Sequence, residues 1–467
     1  MNQLLKSKKH TRTVLSLALP MAGTRLINML TYFIGMALAG HLGINALAAC
    51  ALINSTYIFL FVVGMSVLFA VGVVIAQVYG AKEYRQIGEI FQQSIILCIL
   101  IFIPLSICFY HTDQILLALG EQKDLMPYVH DFFTTMAWGG FPVFLLVVLQ
   151  QVCFAIKKQS LVIRTNLISF AAFVPVAYAL IHGTALHSSF GIRGLAYSVI
   201  FSCSLNSVLI LFALITNPIY KRYAFFDLHD HRQLKQIKKL FKVGWPMMIQ
   251  FSSEVLIFAI IAILIGKIGT VELSAFQIAI QWQGLSIVPI FGITEAISIL
   301  IGHAAGARNP EDMNHLLKAT LSLICYLCLF VSLIYLLFPQ TLAMIYGVTG
   351  HSQNAIAIRK TVKMFFLTCI FSLFFDAIKN IITGALRGLH DTQYAMWINT
   401  VTTFCITLPL GYWMVNINGW PVAFYFVAYS VAFLIASIMM HLRWKSMYQK
   451  ILKHNTSVSQ KEELPAV

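Results

Sequence analysis

Charge is what this chain has least of. Only 10% of its 467 residues are charged and 17 are acidic, while 59% are hydrophobic. A soluble domain carries about a quarter charged residues. A fold dissolved in water could not hide this much apolar surface, so the solvent must be largely lipid. No Gly-x-x-x-x-Gly-Lys-Ser/Thr nucleotide loop occurs, which argues against an ATP-driven pump. Aspartate-rich magnesium motifs are also missing, which argues against a polyprenyl transferase or a similar membrane enzyme. The first apolar run starts near Val14 and is too long for a cleaved leader.

What charge there is has one dominant sign. The formal net charge is +15, and the basic residues sit in short runs between apolar segments. Examples are Lys157-Lys158 and Lys235, Lys238, Lys239 and Lys242. Such runs suit loops facing an anionic cytoplasmic leaflet, not nucleic acid. Nine cysteines are scattered, mostly in apolar runs, and read as small buried residues without disulfide or metal roles.

Twelve apolar segments are long enough to span a bilayer. They lie near 14–39, 46–75, 91–112, 128–155, 161–183, 190–216, 240–266, 272–302, 316–340, 356–385, 393–416 and 418–442. The expected fold is an all-α integral membrane protein with about twelve transmembrane helices. The basic loops favour both termini inside the cell, in the inner membrane. The long polar stretch at 217–239 carries Asp227, His229, Asp230 and His231. It reads either as a solvated cytoplasmic linker (221–239) or as an Asp/His metal site, and the linker reading is preferred.

The chain repeats itself. At an offset of 226 residues, Leu19-Pro20-Met21 pairs with Trp245-Pro246-Met247 and Gly40-His41-Leu42-Gly43 pairs with Gly266-Lys267-Ile268-Gly269. The same offset pairs Gly80-Ala81-Lys82 with Gly306-Ala307-Arg308. Later, Asn166 and Pro175 fall near Asn399 and Pro409 at 233 to 234. Two six-helix bundles follow, 1–220 and 240–467, related by an axis along the membrane normal. A cavity between such bundles is where a substrate is expected.

These residues resemble the multidrug and toxic compound extrusion (MATE) family, closest to its NorM-like branch. The likeness rests on Pro20, Gly40-His41-Leu42-Gly43, Ala46-Leu47-Ala48-Ala49, Gln77-Val78-Tyr79-Gly80-Ala81 and Leu386-Arg387-Gly388-Leu389-His390-Asp391-Thr392. It implies a secondary antiporter that exports organic compounds in exchange for H+ or Na+. A lipid-linked or anionic-metabolite exporter of the same superfamily is the alternative. No cofactor besides the coupling ion is implied. The partners are a small-molecule substrate and the bilayer, and nothing requires more than a monomer.

An ionisable residue inside a span costs roughly 2.5–3.5 kcal/mol and demands a reason. Glu254 and Asp376 match positions where NorM-like members carry acids implicated in coupling, so the resemblance makes them the candidate proton or Na+ site. Asn28 falls opposite Glu254 at offset 226, so this chemistry belongs to the C-terminal half alone. Gly35 stands where many bacterial members have an aspartate, which speaks against an ion site in the N-terminal half. Lys379 is unusual one turn after Asp376, where its ammonium could occupy the cation's place or neutralise Asp376, and a pair with Glu295 lining the cavity would leave Glu254 freer to act as the switch. Other candidates for the substrate cavity are Arg25, Tyr32, Gln250, Gln281, Trp282, Asn380, Thr383, Asn166 and Asn399, with Asn28. Tyr57, Phe251, Phe258, Met247 and Met248 are further aromatic and methionine residues that could line it.

Overall fold

The computed structural model describes residues 2–183, 189–227, 235–346, 348 and 352–462, with side chains described outside 2–9, 44 and 454–462. His229, Asp230 and His231 of the Asp/His stretch lie outside the described residues. Where no water reaches, backbone groups must bond within their own segment, and helices do this. Among the described residues, eleven helices are long and apolar enough to cross a membrane. A bent pair, Lys123–Gly139 and Phe141–Ala155, is long and apolar enough to make a twelfth span if its two helices, 55° apart at the break, count as one. The break falls at Gly139-Gly140 before Pro142, residues that interrupt the hydrogen-bond ladder.

The spans that carry the site are the seventh (Lys235–Gly266), eighth (Thr270–Gly306), ninth (Pro310–Leu337), tenth (Gln353–Gly388), eleventh (Thr392–Ile417) and twelfth (Phe424–Glu462). The chain forms two compact units. One gathers the residues up to Ala22 with those from Ile249 onward, and the other runs from Gly23 to Met248. The expected halves, divided at 221–239, differ from these units by an exchange of helix starts. Both unit boundaries lie two residues beyond a proline, Pro20 and Pro246, inside continuous helices. Within the first unit, a Cβ on Gly292 would stand 2.8 Å from the Ala22 nitrogen. Within the second, a Cβ on Gly244 would stand 2.6 Å from the Val67 carbonyl oxygen. Each helix start is thus packed tightly inside the unit it joins.

The repeat is visible in the backbone. Lys82 and Arg308, 226 residues apart, have φ of 65° and 53°. Lys157 and His390, 233 apart, have φ of 59° and 62°. Each follows a helix whose last carbonyls are capped by a turn, as where Glu83 N–H donates to Val78 O and Asn309 N–H to Ala304 O. Glycine usually takes this left-handed position. A basic side chain here meets the negative end of the helix dipole, which offsets part of the strain.

A glycine pair sets the spacing of the tenth span. Gly384 and Gly388 face the eighth span, where an added Cβ would meet Thr294 O at 2.6 Å and Ser298 O at 2.7 Å. Small residues four apart let two helix backbones approach closely in lipid. The eleventh span is looser, with π-helical turns at Thr403–Thr407 and Trp413–Ile417 on either side of Pro409. Proline removes a ladder hydrogen bond, and such widened turns absorb the mismatch.

Candidate functional site

Helical spacing places Asp376, Lys379, Asn380, Thr383 and Arg387 on one stripe of the tenth span. Gln250 and Glu254 share a face of the seventh by the same rule. The two stripes meet at Lys379. Its ammonium lies 2.8 Å from Asp376 Oδ1 and 3.1 Å from Glu254 Oε1. Lys379 is fully buried, and the two carboxylate side chains are 9% and 18% exposed. Lys379 Nζ also lies 4.2 Å from the centre of the Phe433 ring on the twelfth span, a cation–π contact.

Glu254 Oε1 is the hub. Besides Lys379, it accepts from Asn399 Nδ2 at 3.0 Å and, at the limit of hydrogen bonding, from Gln250 Nε2 at 3.5 Å. One carboxylate oxygen therefore ties the seventh, tenth and eleventh spans together. Asn399 is fully buried, and its Oδ1 has no hydrogen-bond partner. Buried charges persist only when paired and hydrogen-bonded, and this trio meets that condition.

Lys379 does not pair with Glu295, contrary to the sequence expectation. Its charged partners are Glu254 and Asp376, so Glu254 is engaged too, not left free. Helix spacing describes neighbours on one helix and is silent on which facing helix a long side chain will reach. Glu295 is half-buried, and its charge acts on Arg387.

Arg387, which the sequence presents as part of the Leu386-Arg387-Gly388 motif, is a further charge inside the tenth span. It is buried, donates from Nη2 to Gln250 Oε1 at 3.0 Å and lies 4.7 Å over the Phe251 ring. Its Leu-Arg-Gly context at the end of an apolar run was the available signal. The motif's Asp391 holds Arg443 of the twelfth span at 2.7 Å. The cysteines also hid a spacing, because Cys325 and Cys328 form a Cys-x-x-Cys step on the ninth span. Both are free thiols. Among the described residues no group of three or more His, Cys, Asp or Glu could hold a metal ion.

The Gly23–Met248 unit carries a neutral counterpart. Asn166 Nδ2 donates to Asn28 Oδ1 at 3.1 Å and to Thr24 O at 3.2 Å, and Asn206 Nδ2 donates to Asn166 Oδ1 at 2.9 Å. Asn28 and Asn166 are the repeat mates of Glu254 and Asn399, so the same pair of positions touches in both units. At the offset of 233, Val143 and Leu146 stand for Asp376 and Lys379. Gly35 is walled by apolar groups, since an added Cβ would lie 2.7 Å from Leu195 Cδ1 and 3.1 Å from Phe173 Cζ.

The remaining candidates scatter. Tyr32 donates to Tyr57 at 2.9 Å, and Arg25 lies 4.9 Å over the Phe69 ring. Trp282 donates to Leu342 O at 3.2 Å, and Gln281 is exposed. Asn380 lies one helical turn from Asp376 on the same stripe, while Thr383 donates to Met440 Sδ. Phe258 stacks on Tyr429.

Comparison with known proteins adds an independent view. The MatE family model matches the chain twice, over residues 20–179 and 246–413. The two matches start 226 residues apart, on Pro20 and Pro246, at the offset of the repeat. The chain is 25% identical over 439 residues to "Probable multidrug resistance protein NorM" of Mesorhizobium japonicum, covering 94% of each protein. It is 24% identical over 389 residues to "Multidrug resistance protein NorM" of Aliivibrio fischeri, covering 83% of each. Its fold matches a crystal structure of MATE in the bent conformation with a TM-score of 0.85 at 16% identity, over 97% of this chain and 98% of that one. It also matches a MOP superfamily transporter of Pyrococcus furiosus, described as having a binding pocket of reverse polarity that suggests a different function. There the TM-score is 0.84 at 17% identity, over 95% and 96% of the chains.

Proposed function

The chain belongs to the MatE family, and on that premise we propose that it is a proton-coupled antiporter exporting organic, cationic or amphipathic compounds, with Glu254 and Asp376 as its coupling site. It is a multi-pass membrane transporter of a bacterial type, not an enzyme. The observation that carries the coupling reading is the Glu254–Lys379–Asp376 cluster, buried among helices that otherwise hold few charges.

The residues suggest how a proton would act. Ionised Glu254 accepts from Lys379, Asn399 and Gln250 through one oxygen. A proton on Glu254 turns that carboxylate into a donor and removes its attraction for Lys379, which then rests on Asp376 alone. Asn399 serves both states, because turning its amide presents the unpartnered Oδ1 to the new O–H. The contact joining three spans is exchanged for a weaker one, and the widened turns of the eleventh span next to Asn399 give it room to move. The membrane potential adds about 2.3 kcal/mol per 100 mV for each net charge carried inward, and where one proton exchanges for one monovalent cation the pH gradient alone drives the cycle.

The multidrug names of the NorM relatives support the substrate class. The anionic-substrate alternative has less support, since Lys379 and Arg387 are already taken by Glu254, Asp376 and Gln250. Lys82, Lys157 and Arg308, which follow the helices ending at Gly80, Ala155 and Gly306, support an inner-membrane topology with both termini cytoplasmic.

The test is counterflow in proteoliposomes loaded with a fluorescent cationic dye. An imposed pH gradient should drive dye movement by the wild type. Glu254→Gln and Asp376→Asn should lose that response while remaining folded. Wild-type protein that ignores the pH gradient, or variants that respond as it does, would defeat the reading.

A further inference from the structure

We propose that Lys379 is a tethered cation that closes the Glu254–Asp376 site to Na+ and so sets the ion selectivity of the transporter. The inference rests on the reading of this cluster as the coupling site and goes beyond it by naming the ion it refuses.

A hard cation such as Na+ needs several oxygen ligands. In donor type the cluster qualifies: two carboxylates and the unpartnered Oδ1 of the buried Asn399. The position that touches both carboxylates is nevertheless filled. Lys379 Nζ stands 2.8 Å from one and 3.1 Å from the other, and the Phe433 ring closes a further side at 4.2 Å. Lys379 has no exposed surface, so its ammonium is not drawn off by water. Because it is covalently attached, no concentration of Na+ dilutes it. A Na+ entering beside it would meet a like charge where water screens poorly. A proton avoids the first obstacle, since it binds one oxygen lone pair and requires no coordination shell, and it neutralises a carboxylate instead of adding a second ion beside the ammonium.

The groups around the ammonium leave its place uncontested. Glu254 and Gln250 face it from the seventh span, Asp376 and Asn380 from its own, and Asn399 from the eleventh. Cys328 on the ninth and Tyr429 on the twelfth lie within electrostatic reach of Asp376. Arg387, further along the tenth, feels Glu254 and Glu295. Among the described residues, Lys379 is the one cation in contact with both carboxylates. The repeat points the same way. In the Gly23–Met248 unit the acids are replaced by Asn28 and Val143, and the lysine by Leu146. The ammonium is present where the acids are and absent where they are absent.

Two measurements on the purified full-length protein decide this: thermal unfolding in NaCl against choline chloride at equal ionic strength, and equilibrium binding of radioactive Na+. The wild type should show no Na+-specific stabilisation. Lys379→Ala should gain a saturable one, with Na+ binding at least about 100-fold tighter than in the wild type. Adding Asp376→Asn should abolish that gain, and Lys379→Arg should stay blind to Na+. Should Lys379→Ala fail to fold, Lys379→Gln gives the same readout. Specific Na+ binding by the wild type overturns the proposal, as does a lack of Na+ response in both neutral variants. The pH-gradient assay of the wild type in Na+-free buffer separates the two ideas. Its failure beside a Na+-responsive Lys379→Ala would sink proton antiport and leave the selectivity role of Lys379 standing.

Discussion

Replacing Lys379 by methionine removes the charge while keeping much of the side chain's length and bulk. Both carboxylate oxygens lie within 3.1 Å of one nitrogen, so they are at most about 6 Å apart. Two negative charges at that separation repel by about 3 kcal/mol at an effective dielectric constant near 20. Removing one partner of a buried ion pair typically costs about 3–5 kcal/mol, in line with that figure. Neutralising the abandoned carboxylates should restore much of the loss, because the desolvation cost leaves with the charge. The expected order of apparent Tm in detergent is therefore wild type above Lys379→Met, with the triple variant Glu254→Gln, Asp376→Asn, Lys379→Met recovering toward wild type. Aggregation-coupled unfolding followed by fluorescence-detected size exclusion gives this ranking directly. A Lys379→Met protein as stable as the wild type, or a triple variant less stable than the single one, would refute the reasoning.

Other perturbations test the frame around the site. Gly384→Ala places a methyl 2.6 Å from Thr294 O and should cost about 1–3 kcal/mol, read as a lower Tm and a lower yield of folded protein. Lys82→Gly relieves a left-handed backbone and should raise stability by about 0.5–1 kcal/mol in detergent. Arg443→Ala breaks the pair with Asp391, whose side chains are 33% and 12% exposed. Its effect on Tm should be small, equivalent to at most about 1 kcal/mol.

Much of the architecture was legible because lipid imposes a simple rule on sequence. Twelve apolar stretches stood out, and the fourth needed only Gly139, Gly140 and Pro142 to foretell its bend. The repeat was legible because glycines and prolines match rarely by chance, and it led to Asn399 before any contact was known. Glu254 and Asp376 announced themselves as acids in apolar surroundings. The partner of Lys379 was not legible. Spacing fixes Asp376 as a neighbour one turn away, but the reach of the ammonium to Glu254 depends on which face of the seventh span turns inward. The exchange of helix starts between units was equally hidden, since Pro20 and Pro246 sit in helices that continue through them. Arg387 could have been found by treating every charge in a long apolar run alike, including those that belong to a motif.

If Glu254 and Asp376 couple proton movement to export, substrate binding must displace protons from them, and proton release tests this. Purified protein in weakly buffered detergent would be titrated with a cationic dye while a pH indicator records the protons set free. The wild type should release protons in proportion to dye bound, and neither Glu254→Gln nor Asp376→Asn should release any. Dye binding by the wild type without proton release, or equal release from both variants, would contradict it.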